Sequence, residues 1–546
     1  MRRGPLLALV ALFALLWFVP LGGRTLIHSD EGRYATLSLG MLQSGDWVTP
    51  RLNGLLYFEK PALQYWLGAL SMQLFGVDEF AARLWPALAG FLAVLAVGYT
   101  AARLWGRDTG VRALAIAAGM SWIIGNSHFL TLDAGLCLFL TLVLCAMLLA
   151  LREGATPGQR RGWTWLAWAA MAGAVLSKGL VGILIPGCVL LLLCLWERDT
   201  RLLRGMRWFS GALILLLLAA PWFVAVSARN PGFAEFFFIH EHFARYLTDV
   251  HHREGAWWYY LPLLLAGALP WTGGLAWLRA PGADVAPAER TARRMLLLWS
   301  GFVLLFFSVS HSKLPSYILP MFPALALLLA ERLRGVSAGA LKRQLMLPVA
   351  AWAVVGIASF FVARLASART PPQAAHELGL GLAAGAVLFL AGAALAWRLL
   401  GRQRVTAAIV AVALAHLAGT LALMQSHDTY GQTKSSRQIA GLLLPRIAPD
   451  TPVFAVRSYD QTLPFYLRRH VTLVDYVDEF DYGERHEPGR WIPELDAFLS
   501  TWQSLPQAAA YMSPTTWAEL PEATRRSMQP VYQDAFRVAV VKAVAP

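Results

Sequence analysis

The chain is poor in charge and nearly free of cysteine. Of 546 residues, 15% are Asp, Glu, Lys or Arg, and four are Cys. Cys137, Cys145, Cys188 and Cys194 all lie inside apolar runs, so they read as packing residues and no disulfide framework is implied. No Walker A lysine loop and no HExxH pair occurs, and the GxSxG spacing "GVSAG" at 335–339 lies in an arginine-rich loop with no strand before it and so is no nucleophile elbow, which removes support for ATP-driven transport, serine hydrolysis and zincin chemistry. Acidic residues are the scarcer sign, 33 against 47 basic, for a net charge of +14. In a chain that is 57% hydrophobic, such an excess reads as arginine-rich cytoplasmic loops, not as a nucleic-acid surface. The opening "MRRGPLLALVALFALLWFVPLGG" has the charge and apolar core of a signal peptide but no small-x-small cleavage site, and it reads as an uncleaved first span. No repeat of fixed period and no low-complexity linker is present.

What the chain has in quantity is apolar sequence. Runs near residues 6–21, 83–104, 110–128, 133–151, 163–177, 180–196, 208–227, 257–277, 295–310, 317–331, 345–365, 379–397 and 405–424 predict about thirteen spans of roughly 20 residues each. The run 61–76 is shorter and carries Gln64 and Gln73, which predicts an interfacial or re-entrant helix. With that assignment, loops such as "ARLWGRDTGVR", "REGATPGQRRG" and "ERDTRLLRGMR" alternate correctly and face the cytoplasm. The opposite set then faces the periplasm or cell exterior: 22–82, the turns at Asp133 and Lys178, 228–256, "SVSHSKLPSY", 366–378 and everything after about 425. The sequence thus predicts a polytopic α-helical membrane domain over 1–424 and a soluble domain over 425–546. In the latter, "TPVFAV", "HVTLVDYV" and "FRVAVVKAV" alternate with "SSRQIAGLLLPRI" and "SPTTWAEL", an α/β pattern. The "GLGLAAG" at 379–385 opens a span with no strand before it, so its small residues are assigned to helix packing and not to a dinucleotide loop.

Ionisable residues converge on the non-cytoplasmic side: Asp30, Glu31, Arg33, Glu59, Lys60, Asp133, Lys178, His240, His242, Arg245 and Lys313, joined by Tyr57 and Tyr317. Such groups at membrane depth are costly and mark function. Asp30 and Glu31 open a short amphipathic helix capped by Ser29, where an acidic pair also suits a helix N-terminus. Asp133 offers a second carboxylate at the same face, or an N-cap for its span. Two carboxylates can orient an acceptor, take its proton or balance positive charge growing on a sugar ring. Lys60, Lys178 and Arg245 suit a phosphate, Lys as a point charge and Arg as a fork. Glu59 and His240 are of metal-ligating type, and zinc would accept them, although their spacing forms no metal motif.

The stretch "DEGRYATLSLGMLQSGDWVTPRLNGLLYFEKPALQYW", with "TLDAG", "LSKGL", "HEHFARY" and "HSKLPSYILP", resembles the lipid A 4-amino-4-deoxy-L-arabinose transferase (ArnT-like) family of polyprenyl-phosphate-sugar-dependent membrane glycosyltransferases, relatives of protein O-mannosyltransferases. The resemblance implies a GT-C-like fold with amphipathic helices in the first periplasmic loop. It implies transfer of an aminopentose from undecaprenyl phosphate to lipid A at the periplasmic face of the bacterial inner membrane, with polymyxin and cationic-peptide resistance as the outcome. By motif match, Asp30 is similar to the principal catalytic aspartate, with Glu31 beside it, and Asp133 to the second. Lys60, Lys178 and Arg245 match donor-phosphate ligands, and Arg33, Tyr34, Tyr57 and Tyr317 match substrate contacts. No cofactor is required on this reading, with a divalent metal such as zinc left open. The partners are the lipid-linked donor, the lipid A acceptor and membrane lipids, without nucleic acid. The run "KPALQYW" departs mildly from the family's second proline. A protein hydroxyl or another glycan is the alternative acceptor, and a lipid-linked-sugar flippase is the alternative outside enzymes.

Overall fold

The computed structural model describes residues 3–244, 255–279, 286–367 and 370–543. The chain opens with helix α1 (Arg3–Phe18), followed by α2 (Asp30–Ser44), a small hairpin of β1 (Arg51–Leu52) and β2 (Leu55–Leu56), and α3 (Leu63–Phe75). Helices α4 (Glu79–Trp105), α5 (Arg107–Gly119), α6 (Ser121–Ser127), α7 (Asp133–Leu151), α8 (Pro157–Lys178) and α9 (Val181–Glu197) continue the bundle. Apolar sequence without water must satisfy its backbone internally, so these runs become helices. Local signals set their ends. Asp78 caps α4 by accepting the Ala81 N–H at 2.7 Å, and Thr156 with Gln159 forms a capping box at α8. Helix α3 has 13 residues, about 20 Å at 1.5 Å per residue. It is too short to cross a bilayer and packs on α2, as the interfacial reading requires.

All thirteen apolar runs are helical, but they are not thirteen equal spans. Among the described residues, eight helices are long and apolar enough to cross a membrane, or up to nine if one bent pair counts. The run 110–128 breaks at Met120, where the chain is extended and the Ser121 N–H is donated to the Leu269 carbonyl. The run 257–277 bends by 106° between Tyr260–Gly267 and Thr272–Leu278. Pro270 stands at that break, where a helix cannot continue. Helix α8 carries Arg160 and Arg161 in its first turns, α9 is 17 residues long, and the run 317–331 is divided between Pro315–Met321 and Phe322–Arg332. Hydropathy located these segments but could not see the tertiary contacts that interrupt them. In "GLGLAAG", Gly385 lies so close to Gly419 that an added Cβ would stand 2.8 Å from its carbonyl oxygen, which is the packing role expected of it.

The C-terminal part is a five-stranded sheet in the order β4-β3-β5-β7-β6. Strands β3 (Val453–Val456), β4 (Thr472–Val474) and β5 (Ala509–Met512) are parallel, and β6 (Met528–Gln533) and β7 (Val538–Lys542) complete it antiparallel. The sequence reading found β3, β4 and β7 and missed β5 and β6. Alanine-rich "AAYM" has weak strand propensity, and a strand buried at every residue shows no alternation. In such sheets the loops after the carboxyl ends of parallel strands are the usual binding edge. Here those loops, 457–461 after β3 and 475–480 after β4, meet α2.

Candidate active site

Helix α2 is fixed at its N-terminus from below and from above. Ser29, expected to cap it, makes no side-chain cap bond. Glu31 does more: it is 2% exposed, and its carboxylate is bound by Arg83 of α4 at 2.7 and 2.8 Å and by the Leu130 and Ile27 N–H groups at 3.1 and 3.2 Å. Burial pushes the Glu31 carboxyl up, but the Arg83 guanidinium overrides that and holds it below its ordinary value. Arg83 also donates to the carbonyls of Leu21, Arg24 and Thr25. The expected catalytic role of Glu31 therefore gives way to a positioning one, because both its oxygens are consumed by the scaffold. Arg83 itself, inside an apolar run, was missed; a lone arginine within a span was the available signal.

Asp30, one residue earlier, points the other way. Its side chain is 47% exposed, and one oxygen accepts from Arg33 Nη1 at 2.8 Å. On its other side Arg33 is ion-paired with Glu479 from the loop after β4, whose second oxygen accepts from Gln461 Nε2 at 2.8 Å. Burial pushes the Glu479 carboxyl above its ordinary value against the pull of Arg33. Gly32 permits this contact: an added Cβ would lie 2.5 Å from the Gln461 carbonyl carbon and the Thr462 nitrogen. The hairpin docks alongside, with the Asn53 side chain exchanging two hydrogen bonds with the Val471 backbone and Arg51 bound to both Glu487 oxygens. The C-terminal domain is thus a wall of the site, which the sequence reading had left without a role.

Between these walls lie tyrosines. Tyr34 stacks on Tyr65 with ring centroids 6.3 Å apart. Tyr34 and Tyr57 are both within electrostatic reach of Arg33 and Glu59, and Tyr34 also of Asp30. Burial raises the hydroxyls of Tyr34, Tyr57 and Tyr459 above their ordinary values. The buried hydroxyls of Tyr57 and Tyr459 and the amide of Gln64 have no hydrogen-bond partner among the described residues. Buried polar atoms left open in this way mark a place for a polar ligand or water.

A second cluster forms at the same end of the bundle. Asp133 is the first residue of α7 and Lys178 the last of α8. The two are ion-paired, and the Lys178 ammonium lies 4.5 Å from the Tyr317 ring centroid. Asp133 makes no cap; its carboxylate serves Lys178 instead. The bond from the Leu130 N–H to Glu31, three residues before Asp133, ties this cluster to α2. Lys60 donates to the Glu59 carbonyl at 2.7 Å and pairs with its carboxylate at 3.8 Å. His240 stacks on Phe236 at 5.2 Å. Among the described residues, no three His, Cys, Asp or Glu side chains gather as a metal-ligand set. Arg245 lies outside the described residues.

The family model for the aminoarabinose transferase C-terminal domain matches residues 439–542, and that for dolichyl-phosphate-mannose-protein mannosyltransferase matches residues 5–237. An undecaprenyl phosphate-α-4-amino-4-deoxy-L-arabinose arabinosyl transferase of Erwinia tasmaniensis is 34% identical over 75% of each chain. The chain belongs to this arabinosyl transferase family. A Pseudomonas paraeruginosa member is 38% identical, and the chain spans 62% of that relative's length. The crystal structure of the transferase ArnT from Cupriavidus metallidurans bound to undecaprenyl phosphate superposes with a TM-score of 0.93 at 37% identity, covering 100% of this chain and 99% of the other. An oligosaccharyltransferase from Archaeoglobus fulgidus, 14% identical with a TM-score of 0.51, shares the fold. Membership agrees with the GT-C-like architecture, and the C-terminal match covers the sheet that carries Glu479.

One carboxyl near this site has no charge partner among the described residues to hold it ionised. Glu484, on the short helix Asp481–His486 packed against β2, is 3% exposed, with one oxygen unpartnered. Burial, reinforced by Asp481, pushes it up to about 7 from an ordinary 4.5. A raised folded value means the native state holds its proton longer than the unfolded chain, so stability falls as pH rises from 4.5 to about 7. Glu484→Gln removes that loss. Its melting temperature in detergent should exceed wild type at pH 8 and match it at pH 4.5; an equal offset at both would refute the assignment.

Proposed function

We propose that the chain is a glycosyltransferase of the bacterial inner membrane that moves 4-amino-4-deoxy-L-arabinose from undecaprenyl phosphate to a phosphate of lipid A. On this reading the site opens to the periplasm, and the reaction confers resistance to polymyxin and cationic peptides. The observation that carries it is the superposition on an undecaprenyl phosphate-bound transferase over the whole chain, together with a half-exposed Asp30 beside buried tyrosines and cations.

The chemistry follows from charge. An oxygen of the acceptor phosphate forms the new bond to the anomeric carbon, the bond from that carbon to the donor phosphate oxygen breaks, and undecaprenyl phosphate leaves with the electron pair. The acceptor is already ionised at neutral pH and needs little general-base help. Asp30 then faces the positive charge that develops on the sugar ring. Lys60, Lys178 and, by motif match, Arg245 serve the departing phosphate, as cations do for a growing anion. Among the described residues, three carboxylates, Asp30, Glu59 and Glu479, stand around Tyr34 and Tyr57 with two cations, Arg33 and the Lys60 paired with Glu59, and the remaining negative charge favours a cationic amino sugar over a neutral one. No step is routed through a metal. The mannosyltransferase match over 5–237 supports a shared type of lipid-linked donor, whereas the match over 439–542 supports the aminoarabinose reading.

Glu479→Gln should raise KM for the donor about tenfold, the scale of one charge-assisted contact, in protein that still elutes as wild type; unchanged donor kinetics would take Glu479 out of sugar recognition. The function itself is tested by mass spectrometry of lipid A from cells that make the lipid-linked donor but lack their own transferase. Complementation should add an aminopentose mass. Unmodified lipid A from a well-expressed protein would turn the reading to another acceptor, and turnover in detergent, which needs no sealed compartment, separates transfer from flipping.

A further inference from the structure

We infer that Lys313 and Ser312 form an oxyanion subsite that takes a phosphate of one of the two lipid substrates, beside Lys178. This rests on the glycosyl-transfer reading and adds to it a pair of residues that no step above uses.

Lys313 is 9% exposed, and its ammonium donates to the Ser310 carbonyl at 2.6 Å. No carboxylate stands within ion-pair distance of it among the described residues. The other described cations of the site are compensated: Lys178 by Asp133, Lys60 by Glu59, and Arg33 by Asp30 and Glu479. A buried ammonium with only a backbone carbonyl is expensive, and buried charges are normally paired or engaged with a ligand. Ser312, 8% exposed, carries a buried hydroxyl with no hydrogen-bond partner. One unbalanced cation and one open hydroxyl, adjacent in sequence, are what a phosphate oxygen requires.

The loop that holds them is built, not loose. Ser310 Oγ donates to the Ser312 carbonyl at 3.2 Å, and Tyr260 Oη donates to the Leu314 carbonyl at 3.1 Å. Gly255 lies under the lysine stem, where an added Cβ would stand 3.0 Å from Lys313 Cδ. Four residues after Lys313, the Tyr317 ring carries the Lys178 ammonium at 4.5 Å. The two lysines therefore belong to one wall. Because Lys178 is neutralised by Asp133, Lys313 supplies the positive charge there that an incoming dianion would meet. The proposed reaction brings two phosphates into the site, that of the donor and that of the acceptor, and either matches this chemistry.

The test uses the purified full chain in detergent, with undecaprenyl phosphate as the binding probe and with donor and lipid A varied separately in turnover. Lys313→Met should weaken undecaprenyl phosphate binding or raise KM for lipid A by about tenfold or more, with Lys313→Arg restoring most of it and Ser312→Ala showing a smaller loss in the same arm. A loss confined to undecaprenyl phosphate assigns the subsite to the donor, and one confined to lipid A assigns it to the acceptor. Wild-type behaviour of a monodisperse Lys313→Met protein, or equal losses in the arginine and methionine variants, overturns the inference. Should Lys313→Met fail to accumulate, Ser312→Ala decides by the same readouts. If the wild type neither binds undecaprenyl phosphate nor transfers, it is the functional reading that fails, not the placement of the subsite.

Discussion

Asp30→Asn is expected to lower transfer by about three orders of magnitude, within the range of a positioned carboxylate, while the protein still inserts and elutes as wild type. The substitution keeps size and leaves an oxygen for Arg33 but removes the charge. At 47% exposure, Asp30 is no structural brace, so the fold should not notice. What the site loses is the anion that faces the reacting sugar, and Glu31 cannot replace it because its carboxylate is committed to Arg83. Turnover within tenfold of wild type would remove Asp30 from the chemistry and leave it as a partner of Arg33.

The largest stability effect is expected at Arg83. Arg83→Met leaves the Glu31 carboxylate buried beneath α2 with its cation gone, and breaking a buried pair from one side typically costs about 3–5 kcal/mol. Three backbone carbonyls also lose their donor. The variant should accumulate poorly or melt well below wild type in detergent. Glu31→Gln should be milder, since the amide oxygen still accepts from the Leu130 or Ile27 N–H. The double variant should recover part of the loss of Arg83→Met, because no uncompensated carboxylate remains. Simple addition of the two single effects would show that the pair does not act as a unit.

The contrast between these neighbours shows where sequence reasoning reached its end. Asp30 and Glu31 are adjacent acids on one predicted amphipathic helix, and charge placement treats them alike. A helix turns about 100° per residue, so consecutive side chains face different surroundings. One met the scaffold and the other the cavity, a division that only packing against α4 could make. The same holds for Asp133 and Lys178. Each was readable as a lone charge at the end of an apolar run, but their mutual ion pair depends on α7 and α8 lying side by side.

The sequence by itself determined that this is a membrane protein, which segments are helical, that an α/β unit follows, and which residues of ionisable type gather between the apolar runs. Hydropathy and charge placement are local properties of the chain, and the lipid environment translates them directly into helices and loops. Only the tertiary structure decided which helices break, that the C-terminal sheet closes the site, and that Glu479 reaches Arg33 from 446 positions away. An ion pair between residues so distant leaves no periodic trace in the sequence. It exists because Gly32 lets two backbones touch and because a buried guanidinium must find its carboxylate wherever the fold supplies one.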